Sequence, residues 1–282
     1  MRKVLLFGTS GNPPTGRDGH SGMVEYLVNL GTFDEIWILP VYQHMFAGKR
    51  VAMGKAGAPT YEDRLEMCRR LAFERHSSLS CRVKVLRTEQ EVFTEMLKAQ
   101  EGRNTTKPTR SSTYDVVSYL KKRHSDAQFS FLMGTDTYQD LLKGKWFRSE
   151  ELMAMVSLVV VDRVGVRAET EKALVGVEMH HLPMLTDVSS TKIRSATARE
   201  LAGAIMSVDP YVLDYMRERR LYGFGRQWWF ARIAMRASER LSTSNRWLFV
   251  AGAAGLLVVV GIGAAVSASS ERRRGCHVHL MR

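Results

Sequence analysis

The chain has 282 residues, 45% hydrophobic and 25% charged, a composition that excludes a wholly disordered protein. Its net charge of +12 lies mainly in residues 217–282, which hold twelve arginines, no lysine and three acidic residues. A basic tail beside an apolar run favours anionic lipid over nucleic acid as a partner. We therefore expect membrane lipid to bind residues 226–268, and we expect no nucleic-acid partner.

Short apolar runs alternate with amphipathic ones over the first 220 residues. Most of the apolar runs are hydrophobic on both faces, as buried parallel strands are, so the pattern predicts an α/β fold with a Rossmann-like, doubly wound parallel sheet. The predicted strands are Val4–Phe7, Glu35–Leu39, Val83–Leu86, Phe129–Met133, Leu158–Val161 and Met179–Leu182. The predicted helices are Gly19–Leu30, Tyr61–Arg75, Thr113–Arg123, Ser149–Met155, Thr191–Leu201 and Asp209–Arg219.

The end of the chain has a different character. Arginines alternate with aromatic and apolar residues over 226–246, as in segments that lie at a membrane interface. Residues 247–268 contain one polar residue, Ser267, and as a helix would span a bilayer core of about 30 Å. We expect a folded domain over 1–223, a juxtamembrane segment over 224–246, a transmembrane helix over 247–268 and a basic tail over 269–282.

Such a C-terminal helix would insert after translation and leave the folded domain on the cytosolic side. The mitochondrial outer membrane, the peroxisome and the plastid envelope are the candidate membranes. A homo-oligomer is also possible on the sequence alone.

The segment from Gly8 to His20, G-T-S-G-N-P-P-T-G-R-D-G-H, joins the first predicted strand to the first predicted helix. In open α/β sheets a ligand lies at the carboxyl ends of strands and over helix N-termini, and glycines let backbone amides approach a phosphate. Asn12 and the two prolines stiffen the turn, and a histidine at a helix start favours an anionic ligand. The segment predicts a phosphate site, with a plain connecting loop as the alternative.

A second candidate phosphate site is V-S-S-T-K-I-R, from Val188 to Arg194. Ser189 or Ser190 is a suitable N-cap, so the first-turn amides and Arg194 would face the same anion. A capped helix with an arginine is common, and by itself this segment decides nothing.

Taken together, nine markers in order resemble the nicotinate/nicotinamide mononucleotide adenylyltransferase family of the nucleotidyltransferase superfamily, over about residues 3–222. The markers are N-P-P followed by G-H at 12–20, L-P-V-Y-Q-H at 39–44 with Lys49, Y-E-D-R-L-E-M at 61–67, S-T-Y-D-V-V at 112–117, F-L-M-G-T-D at 131–136, K-W at 145–146, V-V-V-D-R at 159–163, S-S-T-K-I-R at 189–194, and P-Y-V-L-D-Y at 210–215 with L-Y at 221–222.

The resemblance implies transfer of the adenylyl group of ATP to nicotinate or nicotinamide mononucleotide, with Mg²⁺ arriving on ATP and no side-chain cluster that ligates metal directly. It implies that His20, Lys49 and Arg194 are catalytic, because they would stabilise charge as the mononucleotide phosphate attacks the α-phosphorus in line. The residues implied in ATP binding are Gly8, Thr9, Ser10, His20, Gly134, Asp136, Ser189, Ser190, Thr191 and Arg194. The residues implied in mononucleotide binding are Ser10, Asn12, Lys49, Thr113 and Trp146.

Arg17 departs from the family pattern. Counted back from His20, Arg17 stands where the family's H-x-G-H motif has its first histidine, and the stretch between N-P-P and G-H is two residues longer. Two other functions stay open at this point: a nucleotidyltransferase of the same superfamily acting on a phosphopantetheine-type acceptor, and a catalytically silent, membrane-tethered nucleotide-binding protein. The sequence does not rank nicotinate against nicotinamide mononucleotide.

Overall fold

The structure, a computed structural model, describes residues 1–44, 58–73, 82–101, 109–162, 176–182, 185–186, 188–195, 203, 206–223, 247–251 and 257–261. It divides into two compact units, Met1–Tyr222 and Gly223–Arg282.

The first unit is built on a six-stranded parallel sheet with the strand order β3-β2-β1-β4-β5-β6. All six predicted strands are confirmed, most of them extended by one or two residues. Their bounds are β1 Arg2–Thr9, β2 Glu35–Pro40, β3 Val83–Val85, β4 Ala127–Gly134, β5 Ser157–Asp162 and β6 Val177–His181.

The chain leaves β1 towards one edge of this sheet and returns to β4 on the other side of β1. That reversal makes the gap between the carboxyl ends of β1 and β4 the topological switch point, where open α/β sheets bind ligands. The two strands are in register with Phe7 beside Leu132, so Thr9 and Gly134 both lie at this edge.

Helices cover both faces of the sheet, as a parallel sheet requires. The six predicted helices are confirmed wherever the structure describes them. Residues 74–75 of the helix predicted over Tyr61–Arg75, and residues 196–201 of the helix predicted over Thr191–Leu201, lie outside the described residues. Among the described residues, sequence reasoning missed two others, α3 and α5. The bounds are α1 His20–Leu30, α2 Tyr61–Phe73, α3 Thr88–Gln100, α4 Thr113–Arg123, α5 Thr135–Leu142, α6 Ser149–Met155, α7 Ser190–Ser195 and α8 Pro210–Glu218.

Asp63 fastens the last helix of the unit to α2. It forms a capping box with Thr60 at the start of α2, and it also accepts hydrogen bonds from the Tyr215 hydroxyl (2.9 Å) and Arg219 Nε (3.2 Å). Burial by itself raises the pKa of Asp63, but these hydrogen bonds outweigh it and hold the pKa below its ordinary value. The carboxylate is therefore charged at neutral pH, and it connects residues more than 150 positions apart.

In the second unit, Trp247–Ala251 (β7) and Leu257–Gly261 (β8) pair as antiparallel strands. The predicted helix over 247–268 is therefore wrong for these ten residues. The physical reason lies in composition: β8 holds three consecutive valines, which favour strands, and Gly252 and Gly255 between the strands disfavour a helix. Within the described residues, no helix has the length and apolar character needed to cross a membrane.

Candidate active site

The loop between β1 and α1 forms the floor of the candidate site, and Thr15 is its central contact. Thr15 is buried, and both its backbone N–H (3.0 Å) and its hydroxyl (2.6 Å) donate to Nδ1 of His20. The same hydroxyl oxygen accepts the backbone N–H of His20 at 2.8 Å. Because Nδ1 accepts a backbone donor, the neutral ring carries its proton on Nε2.

The Nε2–H of His20 is directed to the end of β1, where Thr9 Oγ1 lies 3.4 Å away. This contact is long for a hydrogen bond. The structure thus brings two predicted ATP-binding residues, Thr9 and His20, to the carboxyl end of the central strand.

The two extra residues before His20 fold back over the start of α1. Gly16 N–H donates to Ser207 O (2.7 Å), and the Asp18 carboxylate accepts hydrogen bonds from Thr186 and Ser207 at 3.3 Å. Arg17 lies exposed at the tip of this loop. Thr15, not Arg17, therefore contacts His20, so the first position of the histidine motif is better counted forward from N-P-P than backward from His20.

The N-terminus of α1 is occupied by the loop that precedes it. Ser21 N–H donates to Thr15 O and Gly16 O, both at 3.1 Å. The folded-back loop occupies the space in front of the helix. The positive field on this side therefore comes from side chains rather than from the N-terminus of α1.

Two glycines in the loop are required by close packing. Gly11 adopts φ +55°, and a Cβ there would lie 2.8 Å from Cys68 Sγ. A Cβ at Gly19 would lie 2.1 Å from Thr15 Oγ1. Burial raises the pKa of the Cys68 thiol to about 12, so this sulfur packs against the loop as an uncharged group.

Arg64 of α2 holds the loops after β1 and β2 together. Its guanidinium, 2% exposed, donates to the carbonyl oxygens of Ser10 (2.9 Å), Val41 (2.6 Å) and Tyr42 (3.3 Å). Burial lowers the pKa of this guanidinium below its ordinary value. Arg64 was visible in the sequence as a family marker, but its role as a clamp on three distant carbonyls was not, because such contacts leave no local pattern.

The second motif packs directly against the first. Ser189 caps α7 by accepting Lys192 N–H (3.2 Å), and Ser190 Oγ donates to Pro13 O (2.8 Å). The Arg194 guanidinium donates to Asn12 O and to Thr191 Oγ1. The structure therefore gathers the predicted phosphate-binding residues of both motifs around residues 12–13, although Ser190 and part of Arg194 are engaged by the loop itself.

Tyr222 completes this junction and was noted in the sequence only as a marker. Its hydroxyl donates to Asn12 Oδ1 at 2.7 Å, and its backbone adopts a left-handed conformation with φ +58°. Burial raises the pKa of the phenol well above its ordinary value, so it stays an uncharged donor. Asn12, 3% exposed, is thus held through its side chain, whereas the expectation had placed it against the mononucleotide.

Thr113 and Trp146, expected to bind the mononucleotide ring, lie on the other side of the β1–β4 gap. Thr113 opens α4 behind a capping box between Ser112 and Asp115. The Trp146 ring packs edge-on against Phe131 of β4, with centroids 6.2 Å apart. The Phe131 ring also lies 3.3 Å from the position that a Cβ on Gly8 would take. The rings of Phe131 and Trp146 therefore form a continuous aromatic wall that begins beside the loop after β1.

Gly134 and Asp136, expected near the adenosine ribose, lie where β4 passes into α5. Gly134 is the N-cap of α5, and Asp136 is exposed in its first turn. Neighbouring Thr135 donates from its hydroxyl to Asp162, which fixes the strand–helix junction.

Lys49 lies outside the described residues, so its predicted catalytic position has no structural counterpart here. Within the described residues, no group of three His, Cys, Asp or Glu side chains is placed to hold a metal ion.

Comparison with known proteins agrees with this geometry. A family model for cytidylyltransferase-like proteins matches residues 6–196. A probable nicotinate-nucleotide adenylyltransferase of Myxococcus xanthus is 32% identical over 224 residues, which cover 79% of this chain and 96% of that protein. A protein of the same description from Anaeromyxobacter dehalogenans is 29% identical over 223 residues, 78% of this chain and 97% of that protein.

Among solved structures, the nicotinic acid mononucleotide adenylyltransferase of Plasmodium falciparum complexed with NaAD aligns with a TM-score of 0.59. The sequences are 17% identical over 80% of this chain and 99% of that one, a likeness that establishes the shared fold.

The sheet, its switch-point site and the family match define the class of the protein, which is a nucleotidyltransferase enzyme. Within that class the chain belongs to the nicotinate/nicotinamide mononucleotide adenylyltransferase family. The family assignment drawn from the nine sequence markers is thereby confirmed.

The Thr15–His20 contact can be tested by substitution. Thr15→Val removes the hydroxyl that holds Nδ1 and should lower kcat by about a hundredfold, because a misplaced catalytic group costs rates of that order. Thr15→Ser keeps the hydroxyl and should recover most of the activity. Pyrophosphate release under saturating substrates measures both, and wild-type turnover in a folded Thr15→Val protein would contradict the assignment.

Proposed function

We propose that the protein transfers the adenylyl group of ATP to nicotinate mononucleotide, giving the nicotinate dinucleotide and pyrophosphate. The observation that carries the proposal is the meeting of the two motifs: Arg194 of the second donates to Asn12 of the loop that presents His20. The Myxococcus and Anaeromyxobacter relatives are described as nicotinate-nucleotide adenylyltransferases, which supports the nicotinate form of the acceptor. The reaction belongs to NAD biosynthesis.

The chemistry requires no nucleophilic side chain, because the mononucleotide phosphate is itself an anionic nucleophile. One of its oxygens forms a bond to the α-phosphorus of ATP, and the bond from that phosphorus to the bridging oxygen of pyrophosphate breaks. His20 Nε2–H would donate to an oxygen on the reacting phosphates, where negative charge builds up in the transition state. The Thr15 contacts keep that donor oriented, so little reorganisation accompanies the reaction.

Arg194 would supply the positive charge on the pyrophosphate side. Its guanidinium is half-buried, and burial lowers its pKa below the ordinary value without removing the charge at neutral pH. It uses part of its donor capacity on Asn12 and Thr191, and five N–H donors leave capacity for a phosphate. Lys49 would be a further positive charge beside the phosphate of the acceptor.

Mg²⁺ fits this site as a companion of ATP. The described residues offer exposed Asp136 near the adenosine side rather than a cage of carboxylates. Mg²⁺ keeps several waters and binds substrate phosphates readily, so it would neutralise charge on the leaving pyrophosphate with Asp136 or water completing its shell. The ion supplies charge neutralisation, and the protein's own residues supply the positioning.

The direct test of the proposal is pyrophosphate release by the full chain with ATP, Mg²⁺ and each candidate acceptor in turn. Release should require nicotinate mononucleotide, and His20→Asn should lower kcat by about 10²–10⁴-fold, the range expected for one transition-state hydrogen-bond donor. The matched control is His124→Asn, at the C-terminal end of α4, where the His124 ring packs on Trp37 of β2; this variant should keep wild-type turnover.

Release with phosphopantetheine instead would place the enzyme elsewhere in its superfamily. A folded chain that binds ATP but releases no pyrophosphate with any acceptor would support the silent, nucleotide-binding alternative.

Membrane attachment is a separate proposal. We propose that residues 226–268 bind anionic lipid, with the catalytic unit on the cytosolic side of an organelle membrane. Support comes from the interleaved arginines and aromatic residues of 226–246, which suit the bilayer interface. The full chain should co-sediment with anionic vesicles, and replacing Arg226, Arg232, Arg236 and Arg240 with glutamine should release it. Equal sedimentation of both forms would refute the proposal.

A further inference from the structure

Arg148 stands in the turn between α5 and α6, two residues after Trp146, and the proposed mechanism does not use it. Its guanidinium carbon lies 4.9 Å from the centroid of the Tyr114 ring, and Nη1 donates to the Tyr114 hydroxyl at 3.1 Å. The exposed ring of Phe147 has its centroid 5.6 Å from the same carbon. Tyr114 follows Thr113 directly in the first turn of α4. The guanidinium therefore joins the two segments that carry the predicted ring-binding residues, Thr113 and Trp146.

The turn that presents Arg148 has an uncommon backbone conformation. Arg148 adopts φ +54° and ψ +50°, in the left-handed region that residues other than glycine rarely occupy. The surrounding contacts hold it there, because Ser149 Oγ donates to Trp146 O (2.8 Å) and Leu152 N–H donates to Arg148 O (2.9 Å). Backbone strain of this kind is concentrated at ligand sites, which makes a functional role for this position a hypothesis to test.

A series of aromatic rings leads from the loop after β1 to this arginine. It begins at Phe131, beside that loop, and passes to Trp146 with centroids 6.2 Å apart. The next residue, Phe147, meets the ring of Tyr114 edge-on at 6.3 Å. A mononucleotide with its phosphate at the loop and its pyridine ring on this wall would direct the substituent of that ring towards Arg148.

The positive charge of Arg148 is only partly offset by its surroundings. The Glu151 carboxylate lies 4.0 Å from Nε, at the limit of an ion pair, and both side chains are at least half exposed. Water screens such an exposed pair, so it contributes little. The Tyr114 hydroxyl is a neutral acceptor and takes one donor of the five that a guanidinium has. The guanidinium therefore keeps its charge and has donors left for a carboxylate.

We propose that Arg148 selects the carboxylate of nicotinate mononucleotide over the amide of nicotinamide mononucleotide. The inference rests on the proposed function and names the feature of the acceptor that decides its recognition. A guanidinium binds a carboxylate through two parallel N–H donors, whereas the amide is neutral and offers it a single oxygen. Stacking on Tyr114 holds the guanidinium in place, which reduces the entropy lost when the acceptor binds.

The test compares kcat and KM for the two acceptors, with the full chain at saturating ATP and Mg²⁺. Wild type should prefer nicotinate mononucleotide. Arg148→Gln should raise KM for that acceptor by about 10- to 100-fold, the effect of losing a hydrogen bond to a charged group, with kcat nearly unchanged. Its KM for nicotinamide mononucleotide should stay close to the wild-type value. Arg148→Lys keeps the charge without the paired donors and should recover part of the preference.

The matched control is Arg123→Gln. Arg123 ends α4, and its guanidinium also lies over a tyrosine of that helix, Tyr119, at 4.3 Å, but at the opposite end from Thr113. This variant should keep the wild-type preference.

Tyr114→Phe keeps Arg148 and removes only the hydroxyl that helps to fix it. The preference for nicotinate mononucleotide should fall in the same direction as in Arg148→Gln, but by less. In a chain that already carries Arg148→Gln, this second change should leave the preference where it is. Arg148→Lys and Tyr114→Phe decide the question if Arg148→Gln does not fold.

The inference would be overturned by a wild-type enzyme that uses both acceptors equally, or by a Tyr114→Phe or Arg148→Lys enzyme with an unchanged preference. It would also be overturned by an Arg148→Gln enzyme that keeps the preference or loses efficiency equally with both acceptors, since an equal loss indicates a structural role. Failure of the proposed function looks different, because the wild-type protein would then form no dinucleotide from nicotinate mononucleotide. That outcome would overturn both.

Discussion

The site depends on one constraint, which is that the loop after β1 is buried over Gly11–Gly16 and must find partners for its polar groups inside the protein. Its carbonyl oxygens at Ser10, Asn12 and Pro13 accept from Arg64, Arg194 and Ser190, and the side chain of Asn12 accepts from Tyr222. With the loop fixed in this way, Thr15 can hold His20 in one orientation and one protonation pattern. The orientation of His20, the proposed catalytic donor, is therefore set by packing before any substrate binds.

These partners are distant in sequence. Ser190, Arg194 and Tyr222 lie 177, 182 and 210 positions beyond the loop residues that they contact. The loop's hydrogen bonds are thus complete only when the last helices of the first unit have docked, and Asp63 fastens α2 to that same region through Tyr215 and Arg219. Activity is tied to complete folding of the unit, since an incompletely docked end leaves buried carbonyls unpaired.

The sheet and most helices were predictable because each is encoded locally. A run such as Val4–Phe7 is apolar on both faces, and the capping box of Ser112 and Asp115 marks the start of α4 in the sequence itself. Helix α5 was missed because it follows Gly134, the last residue of β4, without a loop. The helix predicted over 247–268 was wrong for β7 and β8 because the length of the apolar run was given more weight than its valines and glycines. Arg64 and Tyr222 stand in family markers, but their contacts join segments that are distant in sequence, which no local pattern records. Thr15 had a usable signal in its position directly after N-P-P.

The most direct test of this account is the nitrogen-15 NMR spectrum of the His20 imidazole in the full chain, with and without ATP and Mg²⁺. The account predicts an unprotonated Nδ1 and a protonated Nε2 in the free enzyme at neutral pH, with only the Nε2 resonance shifting strongly when ATP binds. A proton on Nδ1, or an Nε2 resonance unmoved by saturating ATP, would contradict the role assigned to the Thr15–His20 pair.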